Sequence, residues 1–150
     1  MNGDMEISTQ RFGRLLLRGD EILSFPHGLL GFEDCLRWVL ISDPAVDCVA
    51  WLQSVDHAEL ALAVTSPRLF VPGYQVRVAR RELEILNLTS ARDAEVLVVV
   101  GRTERGLTAN LKAPVVLHPE RRLGKQVISN GDLPVQFPLE MYREPLRKSA

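Results

Sequence analysis

Short segments in which apolar and polar residues alternate, separated by turn residues, most constrain what this chain can fold into. In residues 74–78 a tyrosine and two valines share one face, and Leu60, Leu62 and Val64 repeat the pattern. Alternation of period two places every second side chain on the same side of a strand. We therefore predict a half-buried β-strand in each of these segments.

Two other segments are apolar on both faces. Leu36, Trp38 and Leu40 alternate with Val39 and Ile41, and residues 96–100 are apolar throughout. Such runs are typical of strands that are covered on both sides, and the second indicates a central strand. Seven more short strands are predicted at residues 5–8, 13–17, 21–25, 49–53, 106–109, 115–117 and 125–129.

Turn-forming residues such as Pro72-Gly73 separate the segments at short intervals, which favours an antiparallel sandwich or barrel. Helical character is confined to residues 79–87 and to a segment at 139–148 that Pro145 interrupts. We predict a mainly β fold: a compact antiparallel barrel-like single domain with one or two short helices. We expect residues 1–130 to form this domain, with 1–4 as a flexible extension and 131–150 as a loosely ordered C-terminal tail.

The charge balance argues against nucleic acid as the main partner. Eighteen basic and nineteen acidic residues give a net charge of -1, whereas proteins that neutralise phosphates usually carry a basic excess. Two local basic groups are interpreted as solvated faces, with RNA contact as the alternative: Arg77, Arg80 and Arg81, and Arg121, Arg122 and Lys125.

Nothing in the sequence indicates export, a membrane or a metal. Cys35 and Cys48 lack the Cys-x-x-Cys spacing of zinc sites, so reduced thiols and a cytoplasmic location fit best. The N-terminus has no apolar stretch of the kind that signal peptides contain, and no apolar run is long enough to span a bilayer. We predict no metal or cofactor.

Enzyme chemistry is also poorly supported. His27, His57 and His118 lack the spacing of a zinc protease, and no nucleophile elbow, P-loop or dinucleotide fingerprint occurs. Cys35 could pair with a distant histidine, but a packed apolar cysteine is the simpler interpretation. Glu33-Asp34 is interpreted as a solvated turn pair rather than an acid/base pair. We predict no catalytic residue.

The two tryptophans are predicted to lie in the core. Trp38 and Trp51 each stand in an apolar strand. A stacking platform for bases would instead need exposed aromatic residues among basic ones. The predicted burial of both tryptophans therefore weighs against RNA binding as well.

The stretch LTANLKAPVVLH, residues 107–118, contains a polar interruption between two strands. Pro114 cannot donate to a sheet ladder, so the ladder must break or lie at an edge there. Asn110 can adopt a left-handed backbone or hydrogen-bond neighbouring backbone groups. We predict a built bend that presents polar residues at a rim.

Six segments in order resemble the flagellar assembly factor FliW family: ILSF at 22–25, GLLGFE at 28–33, WLQSV at 51–55, LAVTSP at 62–67, NLKAPV at 110–115 and GKQVI at 124–128. The resemblance covers about residues 5–128. The chain departs from the pattern at Leu30, where the family commonly has proline, and little pattern continues beyond Asn130.

The resemblance implies a compact, mostly antiparallel barrel-like domain that binds proteins in the cytoplasm and performs no catalysis. Its implied partners are the C-terminal segment of flagellin and the carbon storage regulator, an RNA-binding repressor of flagellin translation. Flagellin would occupy the factor when plentiful, and the free factor would bind the regulator and lift repression. Direct nucleic-acid or membrane binding is not expected. The alternative function is a small RNA-binding β-barrel that uses a local basic patch.

We hypothesise that residues at the family's motif positions lie on, or support, a partner-binding rim. The alternative is that the Gly and Pro residues set backbone geometry and the amides satisfy buried backbone groups. The candidates are Gly28, Gly31, Phe32, Glu33, Gln53, Asn110, Leu111, Lys112, Pro114, Lys125 and Gln126.

Overall fold

The structure, a computed structural model, describes residues 3–139. The described chain contains short 3-10 helices at Gly19–Glu21, Pro67–Leu69, Arg80–Leu86 and Ala91–Asp93. Its strands are β1 (Met5–Thr9), β2 (Gly13–Leu17), β3 (Ile22–Ser24), β4 (Arg37–Ser42), β5 (Val49–Ser54), β6 (Ala61–Thr65), β7 (Glu95–Thr103), β8 (Gly106–Ala109), β9 (Val115–His118), β10 (Leu123–Gln126) and β11 (Phe137–Pro138).

Seven strands close into a barrel in the order β7, β6, β5, β4, β3, β10, β9, and β9 pairs back onto β7. Neighbouring strands are antiparallel except for β3 and β10, which are parallel. Strands β8 and β11 extend the sheet from the far part of β7. The predicted mainly β, barrel-like fold is confirmed.

The barrel interior is packed with large side chains. Trp38, Phe25 and Leu52 are fully buried there, and Trp38 Nε1 donates to the Cys35 carbonyl at 2.8 Å. That bond satisfies the indole N–H, which would be costly to bury alone. The predicted inward face of Leu60, Leu62 and Val64 packs against the same cluster.

The hairpin formed by β1 and β2 covers the outer face of β4. Val39 is buried under it against Ile7 and Leu17, while Trp38, the preceding residue, points into the barrel. The prediction that this strand is covered on both sides is therefore confirmed at Trp38 and Val39, whereas Leu36 and Leu40 on the Trp38 side are exposed.

The predicted strand at residues 74–78 is wrong. The predicted faces are correct, since Tyr74 is buried and Gln75 and Arg77 are exposed, but the segment joins no sheet ladder. Arg77 N–H donates to the Ser129 hydroxyl at 3.0 Å, so a side chain stands where a strand partner's carbonyl would be. An extended segment that packs on a core alternates buried and exposed side chains with a period of two even when it pairs with no strand.

The fold continues past the predicted boundary at residue 130. Strand β11 pairs with β8, and Leu139 is buried against Tyr74 and Leu111. The remainder of the predicted tail, with the predicted helical segment at 139–148 beyond Leu139, lies outside the described residues. At the other end Gly3 and Asp4 are exposed and precede β1. No helix in residues 3–139 is long and apolar enough to cross a membrane.

Trp51 was predicted to lie in the core, but it is half-buried on the outer face of β5. The Arg11 guanidinium lies 3.9 Å from the ring centroid and Phe12 packs edge-on at 6.3 Å. Trp51 Nε1 donates to Asp43 Oδ2 at 2.9 Å. The tip of the β1–β2 hairpin is thus fixed on the barrel by a cation–π contact and an aromatic pair.

Asp43 should make this region sensitive to acid. The hydrogen bond from Trp51, followed by those from the N–H groups of Ala45 and Val46, holds the pKa of the Asp43 carboxyl below its ordinary value. A lowered folded-state pKa stabilises the fold above the unfolded-state pKa. This contribution is lost as the pH falls from about 4 toward the lowered pKa.

We expect Asp43→Asn to lower Tm at pH 7, and the difference from the wild type to shrink as the pH falls below about 4. Thermal unfolding of both proteins between pH 2 and 8 measures it. Asp47→Asn, an exposed change nearby, controls for the loss of one negative charge. A Tm difference that stays constant across that range would contradict the role given to Asp43.

Candidate partner-binding rim

The predicted site residues gather toward one end of the barrel. Ser24, which ends β3, pairs with Arg37, which begins β4, and Trp38 in turn pairs with Ser54, the end of β5. The residues that follow Leu123 extend past Ser24 toward the same end, where Gln126 pairs with Val115. We call residues 28–33, 110–113 and 126–128 the rim.

The turn at residues 28–33 depends on glycine. Gly28 has a φ of 66°, and a Cβ there would lie 2.6 Å from backbone atoms of Phe32 and Glu33. Leu29 and Phe32 exchange backbone hydrogen bonds, the shorter of them 2.7 Å. The exposed Glu33 carboxylate accepts the Gly31 N–H at 3.0 Å. The turn is therefore a defined structure and not a loose loop.

The bend after β8 is an insertion into a strand. Ala109 lies opposite Val100 and Val115 lies opposite Leu97, so between these pairs the five residues 110–114 face only the two residues 98 and 99 of β7. An excess of residues on one side is the defining property of a bulge. The predicted built bend at residues 110–113 is confirmed.

The side chain of Asn110 is used within the bend. Its Oδ1 accepts the N–H groups of Lys112 and Ala113, both at 3.1 Å, and its φ is not positive. Of the two roles considered for Asn110, hydrogen bonding to neighbouring backbone is the one that occurs.

The bend presents less polar surface than predicted. Lys112 is half-buried and its Nζ donates to the Gly131 carbonyl at 2.6 Å. Leu111 is buried, and the Tyr74 hydroxyl donates to its carbonyl at 2.7 Å. Burial raises the pKa of Tyr74 to about 12, so this donor keeps its proton at physiological pH. Pro114 is also buried.

Gln126 joins the turn to the bend. Its Oε1 accepts the Leu30 N–H at 2.8 Å and its Nε2 donates to the Ala113 carbonyl at 2.9 Å. One amide thus ties together segments that are far apart in sequence. The position of Leu30 relative to the bend is fixed by these two bonds.

Two predicted residues do not face the rim surface. Lys125 Nζ donates to the Glu82 carbonyl at 2.7 Å and lies 3.5 Å from its carboxylate, which directs the side chain to a 3-10 helix. Gln53 is fully buried, and its Nε2 donates to the Ser54 and Leu60 carbonyls at 3.0 and 3.1 Å. Gln53 can support the β5–β6 loop but cannot contact a partner.

Two exposed apolar residues on the rim were not predicted as site residues. Leu30 is 49% exposed and Ile128 is 53% exposed. They flank Gln126, which bonds Leu30 and lies two residues before Ile128. Phe32, a predicted site residue, is partly buried and packs against the core. The rim therefore offers aliphatic side chains on a hydrogen-bonded frame.

The described residues offer little for catalysis. Burial, with the nearby carboxylates of Asp34, Asp56 and Glu59, raises the pKa of the Cys35 thiol. A protonated, buried thiol is a poor nucleophile. Within residues 3–139 no three His, Cys, Asp or Glu side chains are placed to hold a metal ion.

Comparison with known proteins identifies the family. The family described as FliW protein matches residues 6–139. The chain belongs to the FliW family. A flagellar assembly factor FliW from Bdellovibrio bacteriovorus is 38% identical over 138 residues, which is 90% of this chain and 79% of that protein. Another from Natranaerobius thermophilus is 34% identical over 139 residues, which is 90% of this chain and 92% of that protein.

A solved FliW structure has the same fold. The crystal structure of a flagellar assembly factor FliW superposes with a TM-score of 0.82 at 29% sequence identity, covering 89% of this chain and 98% of that one. The FliW family assignment that the six sequence segments indicated is thus confirmed.

Proposed function

We propose that this FliW-family protein binds the C-terminal segment of flagellin in the cytoplasm and, when free of flagellin, binds and antagonises the carbon storage regulator. Flagellin supply would then control flagellin synthesis. The observation that carries the proposal is the match to the FliW family over residues 6–139, nearly the whole described chain. The protein would act by binding and not by catalysis.

The rim is the surface we assign to partner binding. Its backbone is held by the Gly28 turn, the Asn110 bulge and the Gln126 bridge, so it does not need to be ordered on binding. A rigid surface avoids part of the entropy that association costs. Leu30 and Ile128 supply apolar contacts of the kind that an amphipathic segment can bury.

Exchange of partners requires that one partner disfavours the other. Overlapping use of the rim by both partners would achieve this directly. If the partners bind separate sites instead, binding at one site commonly changes the free energy of binding at the other by about 1–3 kcal/mol. The net charge of -1 makes the protein a poor mimic of RNA phosphates. Steric or allosteric action on the regulator is therefore favoured over RNA mimicry.

Calorimetric titration with a peptide of flagellin's C-terminal segment tests the proposal. We expect binding by the free protein and about 5- to 150-fold weaker binding after the protein has been preloaded with the regulator, the range that a coupling free energy of about 1–3 kcal/mol gives. An equal affinity in both titrations would contradict exchange. Lack of heat with either partner would contradict the function as a whole.

Charged substitutions on the rim should weaken partner binding without unfolding the protein. We expect Leu30→Asp and Ile128→Asp each to reduce affinity for the flagellin segment by about tenfold or more, because a buried apolar contact becomes an unpaired charge. Both side chains are about half exposed, so Tm should change little. Titration calorimetry and thermal unfolding measure the two effects.

Leu16→Asp is the matched control, because Leu16 is 71% exposed on the separate β1–β2 hairpin. It introduces the same charge on another surface. If Leu16→Asp weakens flagellin binding as much as Leu30→Asp does, the rim is not the site.

A further inference from the structure

The turn that follows the last segment of the rim contains an asparagine directly before a glycine. Asn130 and Gly131 are both exposed, and Asn130 stands two residues after Ile128. Gly131 has a φ of 100°, and among the described residues nothing lies within 4 Å of a Cβ built there. The turn is therefore open to solvent and directly adjoins the rim.

The two groups of this pair that can react with each other are not held in other bonds. Within residues 3–139 no hydrogen bond engages the Asn130 carboxamide or the Gly131 N–H. Asn130 is fixed through its backbone instead, since its N–H donates to the Arg77 carbonyl at 2.6 Å. The carboxamide can therefore approach the next backbone nitrogen without giving up a bond.

The other two asparagines in the described chain lack this combination. Asn110 Oδ1 accepts two N–H groups of the bend, both at 3.1 Å, and the next residue is Leu111. Asn87 is followed by Leu88. A side chain on the following residue crowds its backbone nitrogen, whereas glycine leaves that nitrogen accessible. Asn130 is therefore the described asparagine best placed to react with its own backbone.

We propose that Asn130 is a site of spontaneous deamidation. The Gly131 nitrogen attacks Cγ of Asn130 and forms a bond to it, the Cγ–Nδ2 bond breaks, and ammonia leaves with the proton lost from the Gly131 nitrogen. Water then opens the resulting cyclic imide at either of its carbonyl groups. Opening at Cγ leaves the nitrogen on the backbone carbonyl and gives aspartate. Opening at the backbone carbonyl gives isoaspartate, in which the main chain runs through the former side chain.

Isoaspartate would lengthen the main chain by a methylene group between two residues that are anchored on the bend at 110–113. Ser129 is fully buried, and its N–H donates to the Lys112 carbonyl at 2.8 Å. The Gly131 carbonyl accepts from Lys112 Nζ at 2.6 Å. A longer chain cannot keep both bonds in their present geometry, so the reaction would loosen the bend. This consequence does not depend on which partner the rim binds.

Peptide mapping by mass spectrometry, after incubation of the full chain at mildly alkaline pH, tests the modification. Trypsin releases residues 126–143, in which Asn130 is the only asparagine, and the pair Asn2-Gly3 is read on another peptide. We expect Asn130 to deamidate about tenfold faster than Asn87 or Asn110. Methyl transfer to the same peptide by an isoaspartyl methyltransferase should identify isoaspartate. The proposal is overturned if Asn130 stays intact or reacts no faster than those two asparagines.

Hydrogen exchange followed by NMR measures the consequence for the bend. In the deamidated fraction, separated by its added negative charge, the N–H groups of Lys112 and Ala113 should exchange about fivefold faster than in fresh protein. Incubated Asn130→Gln is the matched control, because its longer side chain closes a less favourable ring, and it should exchange as fresh protein does. Fresh Asn130→Asp adds the charge without the longer main chain and should do the same. Unchanged exchange in the deamidated fraction, or equally fast exchange in either variant, would refute loosening by isoaspartate.

Discussion

Replacement of Gln53 by glutamate is expected to lower the free energy of unfolding by about 3 kcal/mol or more at pH 7, because it buries an unpaired charge. The Gln53 amide nitrogen lies within 3.5 Å of four backbone carbonyls, those of Ser54, His57, Ala58 and Leu60. A carboxylate has no N–H to donate, so its oxygens would face those carbonyls without compensation. The side chain is fully buried, so water cannot relieve the repulsion.

The loss should depend on pH in a definite direction. Burial against carbonyl oxygens favours the protonated acid, so the folded-state pKa of the introduced carboxyl is raised above its unfolded value. The deficit is therefore smallest below about pH 4, and it grows as the pH rises through the unfolded pKa toward the raised one. Urea unfolding at a series of pH values measures this.

Gln75→Glu is the matched control, because Gln75 is exposed. The same chemical change there should alter stability by no more than about 0.5 kcal/mol at any pH. A Gln53→Glu variant as stable as Gln75→Glu at pH 7 would show that the amide does not hold the β5–β6 loop.

The second large effect is expected at Gly28. Gly28→Ala should destabilise the protein by about 2–4 kcal/mol, since a left-handed residue acquires a side chain and an atom is forced into occupied space. The new Cβ would lie 2.6 Å from the backbone of Phe32 and Glu33, which cannot rotate away as a side chain could. The turn must open or shift.

Gly31→Ala separates the two causes within the same turn. Gly31 also has a positive φ, 87°, but nothing lies within 4 Å of a Cβ built there. Only the conformational cost applies, about 1 kcal/mol. Chemical unfolding of both variants compares them, and equal losses would mean that close backbone packing at Gly28 is not what shapes the turn.

The sequence predicts which faces of strands are buried better than it predicts how strands pair. Alternation correctly placed Val39 and Trp38 on two covered faces, because the period of the backbone is local. The same alternation in residues 74–78 indicated a strand that does not form, since a hydroxyl of Ser129 replaces a ladder partner. Pairing depends on distant segments that no local pattern contains.

The rim could be predicted only in part. Pro114 and Asn110 indicated a bend because their backbone chemistry is local. The Gln126 bridge joins Leu30 to Ala113, and a contact between segments so far apart in sequence leaves no local signal. Exposure of Leu30 and Ile128 was missed for a similar reason. Adjacent apolar residues such as Val127 and Ile128 do not reveal which one the packing will leave outside.

Reconstitution of the exchange between partners is the most direct test that this protein works by binding one polypeptide or another. Labelled leader RNA is bound to the carbon storage regulator, the protein is added, and a peptide of flagellin's C-terminal segment follows. We expect fluorescence anisotropy to fall as the protein releases RNA from the regulator and to rise again as the flagellin segment occupies the protein. The proposed exchange of partners would be contradicted if the RNA stays bound to the regulator when the protein is added. It would also be contradicted if the regulator does not bind the RNA again when the flagellin segment follows.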